Sequence, residues 1–573
     1  MNSSPGNLLT LFENLPNEVI YEIFEYLDFN DIDQIFSKLN LRYHSLVNNP
    51  AFHIKINISS MSKNTFESYC KHILIPYQNR IYSMNIENLF IFYLSSPLLT
   101  LSQYSQLEIL ILKNIESNHI TSLLPHLSLL PNLSSLIIIP IDDFHNVNRL
   151  YHTIFRLPAL KYLRISLNES DSDELLPIAK NHCNPIEHFV IDSNCSITHL
   201  KVYLSYLSQL RRLSCKKLLE SSHVEQNLGH LILSNLTHLS LQSENISFNQ
   251  IKLFIRNLSH QLQVFRFSTE FNITYLNANQ WQELILSHMP YLRIFDIELQ
   301  ANYYNNKDDF HILISQFMSP FWYERQWFFT YEYTDSLARF YSTEPYRRKH
   351  CTLHNGLCQH TTYLCRKTNY VRSVEHISIR DNLEIENNLI YFPNTNQLTL
   401  FDHSNNTLYS IPTILDRTIP LVKLFKLCIN CHQFCIGKLM ELLYFSPNVH
   451  ILIINSISLT KISSTSIQQT QTFQTIHKIN KITILMIREI SIQECLLLFI
   501  KLCPRLKQFT VQIPLNIFIS IISHLFFEFE KYNEHLSLVC LLNIDTALER
   551  MILPYLPTSC SIKSLLQNLY IWY

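Results

Sequence analysis

Glycine is nearly missing from this chain: Gly6, Gly229, Gly356 and Gly437 are the only four in 573 residues, and no two lie within the span of a phosphate-cradling loop. Neither G-x-G-x-x-G nor G-x-x-x-x-G-K-[ST] can be assembled, and G-x-S-x-G is equally impossible, so the usual nucleotide-binding and serine-hydrolase signatures are excluded. No histidine is followed by glutamate, which removes the H-E-x-x-H zinc-protease pattern. Charge is also scarce. Charged residues make up 16% and the formal net charge is -1. No block of Lys and Arg is long enough for a phosphate-binding stripe, so nucleic acid is not an expected partner. The start, Met1-Asn2-Ser3-Ser4-Pro5-Gly6, has neither a basic cluster nor an apolar run, which argues against a secretory signal. The most apolar late stretch, Ile517 to Phe529, is broken by His524 and Glu528. It falls short of the roughly 20 residues that cross a bilayer, so no membrane partner is expected. The expected location is cytoplasmic and/or nuclear. The 14 cysteines, scattered without an export signal, read as reduced and mostly buried thiols.

What is abundant is apolar material, 47% of the chain, enough for several domains or for one long array whose core grows unit by unit. The first structured segment is helical in its spacing. Val19, Ile20, Ile23, Phe24 and Leu27 recur on one stripe behind Pro16, whose missing N–H costs little at a helix start. Asn30 or Asp31 can cap a second helix bearing Ile32, Ile35, Phe36 and Leu39, and a third, shorter helix carries Tyr43 and Leu46. A unit of about 40 residues with apolar side chains on more than one face must cover some of them with a partner or with the rest of the chain.

The pattern Leu15-Pro16-x-Glu18-Val19-x-x-x-Ile23-Phe24-x-Tyr26-Leu27-x-x-x-Asp31-Ile32, followed by Asn49-Pro50-Ala51-Phe52, closely resembles the F-box. The match spans the first tenth of the chain and departs from the family at Tyr43, where Trp is frequent, while Arg42 is kept. The resemblance implies a Skp-type adaptor as partner and, through it, a cullin and a RING subunit. Carried onto these positions, the implied adaptor contacts are Leu15, Pro16, Val19, Ile20, Ile23 and Leu27, with Ile35 and Leu39 either assisting or filling the module's own core. The same helices can also be read as a polar-faced cap for a repeat array.

After residue 80 one template, apolar-x-x-apolar-x-apolar, recurs at a spacing of roughly 24 to 27 residues, within the range of leucine-rich repeats. Its first positions are Ile81, Leu107, Leu133, Leu160, Ile186, Leu210, Leu236, Leu262 and Leu292, then Val374, Thr395, Val422, Val449, Ile482 and Leu506. Leu160-x-x-Leu163-x-Ile165-x-x-Asn168 shows the resemblance to the leucine-rich repeat well. Pro131, Pro158, Pro290, Pro420, Pro447 and Pro504 each stand two residues before such a position, where proline stops a helix and lets a strand begin. Phe144, Val147, Leu150, Tyr151, Ile154 and Phe155 have helical spacing between strands. The expected fold is α/β: a three-helix F-box followed by a leucine-rich-repeat solenoid, with a parallel sheet on the concave face and helices on the convex face.

Because side chains alternate along a strand, Tyr162, Arg164, His188, Asp192, Arg212, Lys216, His238, Arg266, Asp296, Glu298, His376 and Arg380 are expected to line the concave surface as substrate contacts. Basic groups run from Arg164 to Arg266, acids follow at Asp296 and Glu298, and Ile109, Ile111, Ile137 and Ile139 form an apolar patch near the front.

Residues 301–373 break the period with Phe321-Trp322-Tyr323 and Trp327-Phe328-Phe329. The interval from Leu292 to Val374 is close to three repeat lengths, so divergent repeats with buried strands at Trp327 to Tyr333 and Arg339 to Tyr341 would keep the solenoid continuous; an inserted loop presenting aromatic anchors is the other reading. His350, Cys351, His354, Cys358, His360 and Cys365 lack paired zinc-ligand spacing, and Cys428-Ile429-Asn430-Cys431-His432, a haem-attachment string, falls at a strand's end. No metal, cofactor or catalytic residue is expected.

The resulting division is a flexible N-terminus at 1–9, the F-box at 10–56, a first block of leucine-rich repeats at 57–300, the aromatic-rich insertion or divergent repeats at 301–373, and a second block with a C-terminal cap at 374–573. The expected function is that of a non-catalytic substrate receptor of a cullin-type ubiquitin ligase, holding a protein target on the repeats; the alternative is a leucine-rich-repeat scaffold or inhibitor without a ligase role.

Overall fold

The computed structural model describes residues 12–59, 61–94, 101–144, 147–167, 176–179, 184–220, 233–256, 258, 260–270, 273–302, 312–333, 337–344, 349–353, 372–379, 391–401, 412, 415–431, 434–458, 464–489, 493–514, 526, 528–529, 531–533, 535–556 and 560–573. Residues 1–9, the candidate ligands His354, Cys358, His360, Cys365 and His432, and Arg380 lie outside them. The chain forms two compact units, residues 1–193 with 202–210, and 194–201 with 211–573.

In the first unit three short helices lead into strands β1 (Ile54–Ile58), β2 (Ile81–Ile86), β3 (Ile109–Ile115), β4 (Ser135–Pro140), β5 (Tyr162–Ile165) and β6 (His188–Ser196, the first unit ending at Ser193). All these pairings are parallel. Helices Ser117–Leu127 and Val147–Ile154 return the chain between strands, as a parallel pairing requires. The pairing aligns the template in rows: Met84, Leu110, Leu136, Leu163 and Phe189 sit side by side, and Ile86, Leu112, Ile138, Ile165 and Ile191 form a second row. Every member of both rows is buried. Tyr151, Phe155 and Phe189 close the interior, with Tyr151 and Tyr203 ring centroids 4.1 Å apart.

The second unit holds β7 (Arg212–Leu219), β8 (His238–Glu244), β9 (Val264–Glu270) and β10 (Ile294–Asn302), again parallel and again with buried rows such as Leu239, Phe265 and Phe295. Then the direction changes. β11 (Phe328–Tyr333) and β12 (Leu337–Glu344) form an antiparallel hairpin whose second strand pairs antiparallel with β10, Glu298 facing Tyr341. The expected strands are there, but not as divergent parallel repeats: the few residues between Tyr333 and Leu337 can close a hairpin and cannot make the crossover that a parallel pair needs. The aromatic segment is interior packing. Phe317, Trp322, Trp327, Phe329 and Phe340 are buried, Trp322 packs 5.6 Å from Phe295, and Trp327 Nε1 donates to the Arg293 carbonyl at 3.1 Å.

A second sheet in this unit runs through β13 (His350–Leu353), β14 (His376–Ile379), β15 (Gln397–Leu400), β16 (Lys426–Ile429), β18 (Ile451–Ser458), β19 (Ile484–Glu489), β20 (Gln508–Gln512) and β21 (Leu538–Leu542), all parallel, with a short β17 (Phe434–Cys435) beside β18. It ends in an antiparallel hairpin, β22 (Ser561–Leu565) and β23 (Asn568–Trp572), with β23 on β21. Ile377, Leu398, Leu427, Leu452, Leu485, Phe509 and Val539 make one buried row. Among the described residues no helix is long and apolar enough to cross a membrane.

Every expected first position is buried except one. Val422 is 59% exposed and Phe425 47%, whereas Leu424, Leu427 and Ile429 are sealed, so the template here begins at Leu424 and the Val422 frame is two residues early. Pro420 produced the slip, because it precedes a 3₁₀ turn over Leu421–Lys423 rather than the strand. Two hydrogen-bond series confirm the corrected frame. The N–H one residue past each first position donates to its counterpart in the preceding repeat, Phe425 to Asn396 at 2.7 Å and His450 to Phe425 at 2.8 Å. Asparagine side chains just before a first position reach the carbonyl two residues before the preceding one: Asn132 to Ser105, Asn394 to Arg372 and Asn448 to Val422. With glycine so rare, asparagine also takes left-handed backbone positions, at Asn114, Asn245 and Asn543. Two repeats escaped the pattern: β1, whose Ile54-x-Ile56-x-Ile58 lacks the three-residue opening step, and Leu536-x-x-Val539-x-Leu541, placed after a long interval.

Leu424→Ala should cost about 2–5 kcal/mol by opening a cavity, and Val422→Ala less than about 0.5 kcal/mol, read from urea midpoints. Reversed effects would restore the earlier frame. Thr395 fills a first position with its hydroxyl buried and, among the described residues, without a hydrogen-bond partner. Thr395→Val should therefore stabilise the fold by about 1 kcal/mol.

Candidate docking surfaces

The first surface is built by the N-terminal helices α1 (Asn17–Phe24), α2 (Phe29–Asp31, opening into a wider i→i+5 turn over Ile32–Phe36) and α3 (Leu41–Asn48). The starts of α2 and α3 are set by side chains that accept from the exposed first-turn N–H groups, whereas α1 begins behind Pro16 without such a cap. Asp28 Oδ1 takes the Asn30 N–H at 2.9 Å and Asn40 Oδ1 the Tyr43 N–H at 3.1 Å, so Asp28, not Asn30 or Asp31, caps the second helix. The interior is Ile20, Phe24, Phe29, Ile32, Tyr43 and Val47, with Phe24 and Phe36 rings 5.0 Å apart. Arg42 Nη2 donates to the Leu15 carbonyl and to Asn17 Oδ1, each at 2.6 Å, and so fixes the Leu15-Pro16 segment at the start of α1. Asn49 closes the other end: its Nδ2 donates to Tyr21 Oη at 2.9 Å and its Oδ1 accepts the Ala51 N–H at 3.0 Å.

Outside this core, Pro16, Val19, Leu27, Ile35 and Leu39 are exposed, and Leu15 and Ile23 are half-buried. Val19 and Ile23 stand one turn apart on one side of α1, and Leu27 follows in the turn just after the helix ends. Ile20 is a correction: fully sealed, it supports the helix from within and cannot meet a partner. Ile35 and Leu39, left open between core and contact, are more than half exposed. Sequence reasoning missed Phe12, Tyr26 and Leu41, the last 88% exposed. Leu41 had a signal in Asn40, whose cap makes it the first residue of α3, where a side chain has no preceding turn to pack on.

The second surface is the sheet face opposite the buried rows. In the first unit it carries Tyr162, Arg164, His188 and Asp192, all half-buried, beside half-buried Ile109, Ile111, Ile137 and Ile139. In the second unit Arg212 and Lys216 are exposed, His238, Arg266, Glu298 and His376 half-buried, and Asp296 buried. The charges are interleaved, which corrects the expected division into a basic run and a later acidic one. Arg164 pairs with Asp192 at 2.6 Å, Arg266 stands 4.0 Å from Asp296, and Arg339 binds Glu298. Arg339 was absent from the expected set because it sits in the aperiodic segment, where alternation had no frame.

His376 lies against His350 with ring centroids 4.6 Å apart and planes tilted by 43°, and bonds Thr399 Oγ1 at 2.8 Å. Burial, with His350 and Lys426 beside it, pulls its pKa down to about 4. The described cysteines are free, and burial pushes the Cys503 thiol up to about 12, so it is no nucleophile at neutral pH.

Residues 12–55 match the family profile of the F-box domain, which supports an F-box protein. No curated protein matches the chain.

Between pH 4 and the ordinary histidine range near 6.5, the unfolded chain binds a proton at position 376 that the folded chain refuses. Stability should fall as pH drops through that window, and His376→Gln should flatten the decline in a series of thermal melts.

Proposed function

We propose that this chain is the substrate receptor of a cullin-type ubiquitin ligase. Its F-box binds a Skp-type adaptor that brings a cullin and a RING subunit, and leucine-rich repeats stacked as a solenoid hold the protein to be modified. The observation that carries this reading is the F-box domain at residues 12–55 with Val19, Leu27, Ile35, Leu39 and Leu41 left in solvent around a complete core of its own. A helical module that has already buried Ile20, Phe24 and Tyr43 has no internal use for that second apolar set, and such exposure marks contact sites. The chain itself contributes proximity and no acid, base or nucleophile: bringing a target next to a transferable group raises effective concentration without chemistry in the receptor.

A second reading, a leucine-rich-repeat scaffold or inhibitor in which the helices only cap the array, is favoured by one contact set. Arg80 Nη2 donates to the Val47 and Phe52 carbonyls at 2.7 and 3.2 Å, and Phe29 packs 5.0 Å from Tyr77, so the helices pack against the segment that leads into β2. The roles use different faces and are compatible.

Co-purification with a Skp-type adaptor separates them. Leu15→Ala with Pro16→Ala, and independently Val19→Asp with Leu27→Asp, should abolish adaptor recovery while circular dichroism stays nearly unchanged. Full recovery with both folded double variants rules out this surface, and a wild-type chain that never recovers an adaptor leaves only the scaffold reading.

A further inference from the structure

We propose that the open sheet face of the second unit contains an anion-recognition pocket that takes an acidic segment of the captured protein, seating one carboxylate or phosphate group. The proposal rests on the receptor reading above and names the class of target it serves.

The pocket is a cavity of about 480 Å³ over β7 to β10, bounded by β12 and the start of β13. Two carboxylates lie in its wall, and each stands beside an arginine. The Asp296 side chain is only 8% exposed beneath Arg266, and Glu298 is bound by Arg339, itself 11% exposed. What an incoming group meets instead is cationic. Arg266 is 40% exposed at the side chain and Lys349 74%, with Lys216 exposed on the β7 side. Lys349 also pairs with Glu375 at 2.8 Å, so the lining totals four cations, Lys216, Arg266, Arg339 and Lys349, against Asp296, Glu298 and this neighbouring acid. The excess is one positive charge, and the most exposed of these side chains is the Lys349 ammonium.

Arg266 supplies the directional part. Its Nε is shielded from solvent yet has no hydrogen-bond partner among the described residues, because Asp296 Oδ2 at 4.0 Å is too far to accept. A desolvated guanidinium N–H without an acceptor is costly, and an oxyanion satisfies it in the fork geometry that carboxylate and phosphate share. Ser240 on the neighbouring β8 and Ser268 two residues along β9 from Arg266 line the same cavity and can donate hydroxyl protons to the remaining oxygens. The rows below are sealed by Leu241 and Phe267, so the anion would sit on a dry floor, where charge pairing is stronger than in water.

The test uses the full-length chain purified with its adaptor and three fluorescein-labelled probes of one Ser/Ala-rich sequence: one carrying three glutamates, one carrying a single phosphoserine, and one carrying three lysines. Fluorescence anisotropy should show binding of an acidic probe, weakening as salt rises, and none of the lysine probe. Binding of the glutamate and phosphoserine probes alike assigns a carboxylate-type site; binding of the phosphoserine probe alone assigns phosphate. Arg266→Gln should weaken the bound probe about tenfold, and so should Lys349→Gln, whose exposed position keeps the fold out of question. Failure of both acidic probes to bind, preference for the lysine probe, or unchanged affinity in the two variants overturns the proposal. Adaptor recovery is read separately on the same preparations, so loss of the adaptor strikes the receptor reading and loss of probe binding strikes the pocket.

Discussion

A strand in this chain has one apolar row and two rows of backbone donors and acceptors, and only the strand before it and the strand after it can cover them. That mutual covering is the constraint from which the rest follows. It explains why Leu427 must stand beside Leu398 and Leu452, why the N–H after each first position finds the same carbonyl in the repeat before, and why Asn448 spends its side chain on the Val422 carbonyl. Side chains on the opposite face are exempt from this demand, and that is the face on which charge collects.

The sequence made the strands legible wherever three aliphatic residues at the right steps lay behind a proline, because burial and helix termination are both local. It misled at Val422, where proline and apolar residues coincided two residues early, and only the lateral bonds to Asn396 and His450 show the true frame. Direction was the harder quantity. Residues 327–344 read as strands on their aromatic content, yet nothing in a strand's own pattern tells parallel from antiparallel; the short link between Tyr333 and Leu337 held that information. β1 was hidden by the end of the F-box motif, which overlaps its first residues.

For the docking surfaces the sequence supplied residues but not their division. Val19 and Ile20 are adjacent and equally apolar, and a helical stripe wide enough to contain both cannot say that one faces water and the other the interior. Alternation along β9 and β10 located Arg266, Asp296 and Glu298 on one face, but pairing each acid with an arginine requires knowing which strands are neighbours, and Arg339 arrives from a strand the period could not number.

The antiparallel hairpin after β10 has a consequence for how such a chain can change its length. A parallel array accepts a further unit wherever one strand can hand its register to the next, but β12 runs against β10 and stands between it and β11, so the parallel hand-over stops at β10. Duplication or loss among β7 to β10 would be absorbed before that boundary, leaving the numbering of β13 onward in step with itself. The hairpin thus works as a punctuation mark between two modules free to drift in size.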